Sequence, residues 1–297
     1  MSDSSRPRET AGATAGVETR LIVQHPALAD ATVAALSHRV GSAPLDRGPT
    51  RAVWDGTGLD SAMIATLAEH FDVDAAQVPA GARLGDYRLL AFDMDSTLIT
   101  IECIDEIADF AGRKAEVAAI TEAAMRGEIA DYDESLRRRV ALLAGLDAAV
   151  LDRVYDERLR LTPGAETLIA AARRQGLRTL LVSGGFTHFT ERLRTRLAID
   201  QARANVLEIR DGRLTGALTG PIVNAAGKAR ALAETCAALG CPPSQAIAIG
   251  DGANDLEMMA LAGVSVAFRA KRVVRNRTTW AIEHSGLDAL LNWLPER

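Results

Sequence analysis

Four short apolar runs constrain this chain most: RLLAFD (88–93), RTLLVSGG (178–185), AIAIGDG (246–252) and VSVAF (264–268). Each has the length of a β-strand, and none alternates cleanly between apolar and polar residues. Strands buried on both faces read this way. Helical patterns accompany them. AETLIAAARRQ (165–175) stops at Gly176, and KARALAETCAAL (228–239) stops at Gly240 with Pro242 and Pro243 just beyond. Glycine followed by proline is a sound helix stop. Strand alternating with helix predicts an α/β fold with a parallel sheet covered on both sides.

Two stretches interrupt the alternation. Between the first run and the helix at 165 the chain reads as successive helices: ECIDEIADFAGR, VAAITEAAMRGE, DESLRRRVALLAG and AAVLDRVYDERLR. That is too long for a simple crossover and predicts a helical cap inserted over about residues 101–160. NVLEIRDGRLTGALTGPIV (205–223) carries Asp-Gly between β-like runs and predicts a hairpin. Upstream, residues 20–85 mix short apolar runs (RLIVQ, RAVW) with helical patterns, which predicts a small α+β module. PAGARLGD links it to a domain spanning 86–297. Residues 1–19 are polar and small and read as a disordered tail.

Composition narrows the function classes. A net charge of −5 gives no general attraction to nucleic acid or to an anionic membrane. No apolar run approaches the ~18 residues of a membrane helix, and the start lacks the apolar centre of a secretion signal. Three cysteines, Cys103, Cys236 and Cys241, are too few and too irregular for a disulfide framework or a zinc site. They fit a reducing, cytoplasmic setting.

The strand ends carry the chemistry. In an open parallel sheet ligands bind beyond the carboxyl ends of the strands. Those ends hold Asp93 and Asp95, then Ser183-Gly184-Gly185, then Gly250-Asp251-Gly252. Residues two apart on an extended chain face the same way, so Asp93 and Asp95 are expected to address one substrate together. Carboxylates converging on one rim repel one another. Mg²⁺, which takes a few carboxylates plus phosphate oxygens, relieves that repulsion. The Ser-Gly-Gly turn offers backbone N–H groups to an anion, and Lys228, at the start of its helix, offers a positive charge. The set describes phosphoryl transfer with a carboxylate nucleophile. Singly, each part has a plainer reading: turn carboxylates, an ordinary turn, a solvated lysine. The loop from Asp93 is no EF-hand, since Leu98 and Ile104 stand where glycine and glutamate are needed. Asp255 replaces the third glycine of a dinucleotide loop.

DMDST, SGG, a later lysine and GDGAND, in that order, resemble the four motifs of the haloacid dehalogenase superfamily of phosphatases, over about residues 86–290. DMDSTLITIECIDEIA, AMRGE, SLRRRV, VSGGF and GDGANDLEMM narrow the resemblance to the branch acting on O-phospho-L-serine. The resemblance implies a Rossmann-like parallel sheet with an inserted helical cap. It implies Asp93 as nucleophile and Asp95 as general acid and base. Mg²⁺ is expected on the Asp93 and Asp251 carboxylates and the Asp95 carbonyl, with Asp255 supporting the metal site. Ser183, Gly184 and Lys228 would bind the phosphoryl oxygens, and Asn254 would fix the phosphate or the water. Glu102 would take the substrate ammonium and Arg139 its carboxylate, although a helix-start charge and a solvated basic face (Arg137, Arg138, Arg139) are their plainer readings. The implied reaction releases L-serine and phosphate, the last step of serine synthesis. One departure stands out: the family commonly has Phe shortly before SLR, whereas this chain reads IADYDESLR, with Tyr132 and one extra residue. Family members often carry an amino-terminal ACT-type module. For residues 20–85 three roles stay open: binding serine, pairing two copies as a homodimer, or packing on the catalytic domain. Transfer of phosphate to another alcohol, hydrolysis of another small phosphoester, and a non-catalytic amino-acid sensor are the rival functions.

Overall fold

The computed structural model describes residues 18–56, 58–126 and 128–296; the expected tail lies, but for its last two residues, outside the described residues. Among these residues the strands form two sheets. The first is small and antiparallel, with order β2-β3-β1-β4. Its elements are β1 (Thr19–Gln24), α1 (Asp30–Val40), β2 (Asp46–Arg47), β3 (Arg51–Asp55), α2 (Ser61–Phe71) and β4 (Asp74–Pro79). This is the βαββαβ, ferredoxin-like arrangement. β1 begins at Thr19, one residue before the expected start of the module.

Alternation along these strands buries both faces. Leu21, Val23, Ala52 and Trp54 pack under α1 and α2 with Leu36 and Leu67. Ile22, Val53, Ala76 and Val78 join the main core beside Leu84, Trp280 and Trp293. The module therefore lacks a free sheet face: the rest of the chain supplies the second cover.

The larger sheet has order β11-β10-β9-β5-β6-β7-β8. β5 (Leu89–Phe92) sits at its centre. The cap follows as α3 (Cys103–Phe110), α4 (Lys114–Met125), α5 (Tyr132–Ala141) and α6 (Ala149–Arg153). Then come α7 (Ala165–Arg174), β6 (Arg178–Phe186), α8 (Thr187–Leu197), β7 (Gln201–Arg210), β8 (Arg213–Thr219) and α9 (Ala225–Ala238). The chain closes with β9 (Ala246–Gly250), α10 (Leu256–Leu261), β10 (Val264–Phe268), α11 (Arg272–Arg275), β11 (Trp280–Ile282) and α12 (Leu290–Trp293). All neighbours are parallel except β8, which returns antiparallel to β7. The predicted hairpin is thus the edge of the main sheet, with Asp211 and Gly212 in left-handed backbone at its turn.

Chain order runs outward from β5 through β6, β7 and β8, then returns to β9 on the other side of β5. The reversal falls between β5 and β9, where open α/β sheets place their ligands. The two ends of the cap insertion meet close by. Ile99 bridges Leu161, Thr162 N–H donates to Leu98 O at 3.0 Å, and Thr162 Oγ1 donates to Thr97 O at 2.7 Å.

Candidate active site

Asp93 directly follows β5 and is anchored to β9 by donating its N–H to Ile249 O at 2.9 Å. The strand does not run on to Asp95, as extended alternation had suggested. Beyond Asp93 the chain turns at Met94, and Ser96 takes left-handed backbone (φ 55°) after an extended Asp95. Both aspartates still line one cavity of about 430 Å³ between cap and sheet, brought there by the turn. Asp95 Oδ1 accepts from Cys103 N–H at 3.0 Å, which pins the carboxylate to the start of the cap.

Lys228 does not open its helix. α9 starts at Ala225 behind Asn224, whose side chain caps it by accepting from Gly227 N–H. Lys228 is fully buried rather than solvated. Its ammonium lies 2.7 Å from Asp93 Oδ1 and 2.6 Å from Asp255 Oδ1. A buried charge needs such partners to offset its desolvation. Asp255 spends both oxygens, since its Oδ2 accepts from Gly252 N–H at 3.0 Å. It is therefore built to hold Lys228 in place.

Asp251 follows β9 and accepts from Thr97 Oγ1 at 3.1 Å. Oxygens of Asp93, Asp251 and Asp255 lie within 4.8 Å of one another, and these three form a metal-compatible cluster among the described residues. Burial pushes the Asp93 carboxyl well above the usual range, Asp255 and Asp251 push it further, and Lys228 opposes them. Burial, then Asp255, brings Asp251 up to about 6. Burial also raises Asp95, against its bond from Cys103. Lys228 is held charged: burial works against it, but Asp255 and Asp93 outweigh burial. One lysine among these acids leaves an excess of negative charge, and the oxygen-rich donor set suits a hard divalent cation.

Ser183 is fully buried in β6, and its Oγ accepts from Gly185 N–H at 2.8 Å. The Ser-Gly-Gly segment belongs to the end of the strand, and α8 starts only at Thr187. Gly184 O accepts from Asn205 Nδ2 at 2.7 Å, and Gly184, like Asn254, lines the cavity. A Cβ on Gly185 would stand 2.6 Å from Asp95 Oδ2 and 2.7 Å from the Met94 methyl, so a side chain there would displace both.

The cap contributes Glu102 and Arg139. Glu102 immediately precedes α3, and its side chain caps nothing; instead it accepts from Ser96 Oγ at 2.6 Å. Burial, then Asp95, raises its carboxyl to about 8. Arg137 and Arg138 pair with Asp133 and Glu134 on the exposed side of α5. Arg139 lines the cavity and makes no ion pair within 4 Å among the described residues, so the three arginines are not one solvated face. Ser96 and Thr97, which bond Glu102 and Asp251, are not among the expected site residues, and Tyr132 was expected only as a departure bearing on the pocket's polarity. The first two were legible as hydroxyls directly after the paired aspartates; Tyr132 had no signal beyond its departure from the usual Phe.

An α/β sheet bearing paired aspartates at its central strand, a buried lysine and an inserted cap defines a class, the carboxylate-dependent phosphoryl-transfer hydrolases. The model of the haloacid dehalogenase-like hydrolases matches residues 90–260. A phosphoserine phosphatase of Albidiferax ferrireducens is 60% identical over 213 residues, 70% of this chain and 90% of that protein. A probable phosphoserine phosphatase from Vibrio cholerae superposes with a TM-score of 0.80 at 35% identity, covering 94% of this chain and 86% of the other. A HAD family hydrolase from Salmonella enterica serovar Typhi reaches 0.85 at 33% identity, over 95% and 99% of the two chains. The chain belongs to the haloacid dehalogenase-like hydrolases, within their phosphoserine phosphatase branch.

Proposed function

We propose that this chain hydrolyses O-phospho-L-serine to L-serine and phosphate, completing serine synthesis. One observation carries the substrate: the cavity lined by Asp93, Asp95, Asp251 and Gly184 also presents a carboxyl group and a guanidinium, Glu102 and Arg139, neither of which has an ion-pair partner among the described residues. A phosphoester bearing both an ammonium and a carboxylate matches them. Arginine suits the carboxylate because its planar fork can grip both oxygens.

In the first step a carboxylate oxygen of Asp93 attacks phosphorus, the bond from phosphorus to the serine oxygen breaks, and Asp95 gives that oxygen a proton. In the second step Asp95 takes a proton from water as the water oxygen attacks phosphorus, and the bond to Asp93 breaks, releasing phosphate. General acid–base help of this kind is typically worth ~10²–10⁴ in rate. Lys228, held by Asp255, faces the phosphoryl oxygens together with Ser183 and the Gly184 N–H, and Asn254 orients the phosphate or the water. The carboxylates of Asp93 and Asp251 and the Asp95 carbonyl would hold Mg²⁺, which would supply charge neutralisation for the phosphoryl oxygens. Asp255, engaged with Lys228 and Gly252, supports the metal site from behind.

The test is a phosphate-release screen over phosphoserine, phosphothreonine, phosphoglycolate and an aryl phosphate, with Mg²⁺ and with a chelator. Phosphoserine should be cleaved best, and the chelator should abolish release reversibly. Preference for another ester, or transfer of the phosphate to an added alcohol in place of release, would refute the assignment.

A further inference from the structure

We propose that the hydroxyl of Tyr132 is a substrate ligand, donating a hydrogen bond to the phosphoryl group seated against Asp93 and the Ser183–Gly184 turn. The inference rests on the phosphomonoesterase reading above and adds a cap residue to the anion seat of the core.

The geometry places the hydroxyl there. Tyr132 is the first residue of α5, directly after Asp131, whose side chain caps the helix by accepting from Asp133 N–H. From that position its side chain crosses to the sheet. A Cβ built on Gly184 would stand only 2.1 Å from the Tyr132 hydroxyl oxygen, so the phenol occupies the space that a side chain at the turn would fill. Tyr132 lines the same cavity as Asp93, Asp95 and Arg139.

The hydroxyl also lacks an occupation. It makes no hydrogen bond to any described residue and, lining the cavity while only partly buried, is open to a ligand there. Its neighbour Asp133 does bond across the seam: Asp133 Oδ1 accepts from Asn224 Nδ2 at 3.0 Å. Asn224 caps the helix that carries Lys228. Consecutive cap residues thus touch both core elements that frame the anion, the end of β6 and the start of α9. Burial raises the phenol above its ordinary value, with Lys228, Arg139, Asp93 and Asp95 all near enough to act on it. It therefore remains protonated at neutral pH, ready to donate.

The test is Tyr132→Phe, which keeps the ring and removes only the donor. Three quantities are measured with Mg²⁺ present: affinity for inorganic phosphate by calorimetry, kcat/KM on O-phosphoserine and on an aryl phosphate, and the melting temperature. A hydrogen bond to a charged group predicts about a 10-fold or greater loss of phosphate affinity. It also predicts a similar fall in kcat/KM on both esters, with the melting temperature unchanged. A tyrosine that only fills space would leave all three unmoved, and that result would overturn the proposal. So would a loss confined to phosphoserine, because the hydroxyl would then serve the amino-acid end. Phosphate binding involves neither serine nor turnover, so this arm is informative even if phosphoserine proves not to be the substrate.

Discussion

Three neighbours on α5 show how little separates a solvated charge from a binding group. Arg137 and Arg138 find acidic partners one turn back and stay in water, where such pairs contribute ~0.3–0.5 kcal/mol. Arg139, one residue further on, faces the cavity without an acid within 4 Å among the described residues. Its partner has to come from the substrate. Arg139→Ala is expected to lower kcat/KM on phosphoserine by about 100-fold, the cost of leaving a carboxylate unpaired, while an aryl phosphate loses little. Steady-state kinetics on the two esters checks this, and equal losses on both would remove Arg139 from the specificity role. Lys228 is the opposite case. It is occupied on both sides by Asp93 and Asp255, so its charge is matched before any substrate arrives.

At the scale of elements, the carboxyl ends of β9, β5 and β6 stand side by side and assemble the site. The carboxyl ends of β5 and β9 are tied by backbone, Asp93 N–H donating to Ile249 O, and the amino end of β9 is tied in the same way, accepting at Ala246 O from Gly263 N–H. Gly263, just before β10, shows how tightly the end of the sheet away from the site is packed. A Cβ there would lie 1.9 Å from Ser244 O, a backbone atom that cannot swing aside. Gly263→Ala is therefore expected to cost about 1–3 kcal/mol through forced backbone movement. For a chain of this size the melting temperature should drop by several degrees. An unchanged melting curve would mean that the loop relaxes freely. The cap is tied differently, by the short zipper of 98–100 against 160–162, by contacts from α5 and by the bridge of Asp147 to Arg213 in β8.

Across the whole molecule, the two sheets are joined by a polar clasp as well as by shared core. Asp74, at the start of β4, is buried and accepts three backbone N–H groups, from Glu283, His284 and Ser285, at 2.6, 3.1 and 3.0 Å. Trp280 Nε1 donates to Gln77 O, and Asn292 Nδ2 donates to Gln24 Oε1, beside it. Asp74→Ala would orphan three donors at once and is expected to cost about 3–5 kcal/mol. Urea unfolding followed by fluorescence of Trp54, Trp280 and Trp293 checks it. A loss below about 1 kcal/mol would show that the apolar face alone holds the module.

The sequence by itself determined the parts list. Strand-length apolar runs, the glycines and aspartates that end them, the helix stops and the overlong helical insertion are local signals, written within a few residues of where they act. So were Asp93, Asp95, Asp251 and the Ser-Gly-Gly segment. Tertiary structure alone decided what each part touches. Thr97 meets Asp251 across 154 residues of chain, Lys228 loses its water only because β5 and β9 converge on it, and Asp74 finds its donors in a segment 209 residues away. The turn after Asp93 likewise replaced the simple strand alternation expected there, and Tyr132 came to face Gly184 only when the cap closed on the sheet. Periodicity and turn chemistry depend on neighbours in sequence, whereas desolvation and charge pairing depend on neighbours in space, and no short stretch of chain encodes those.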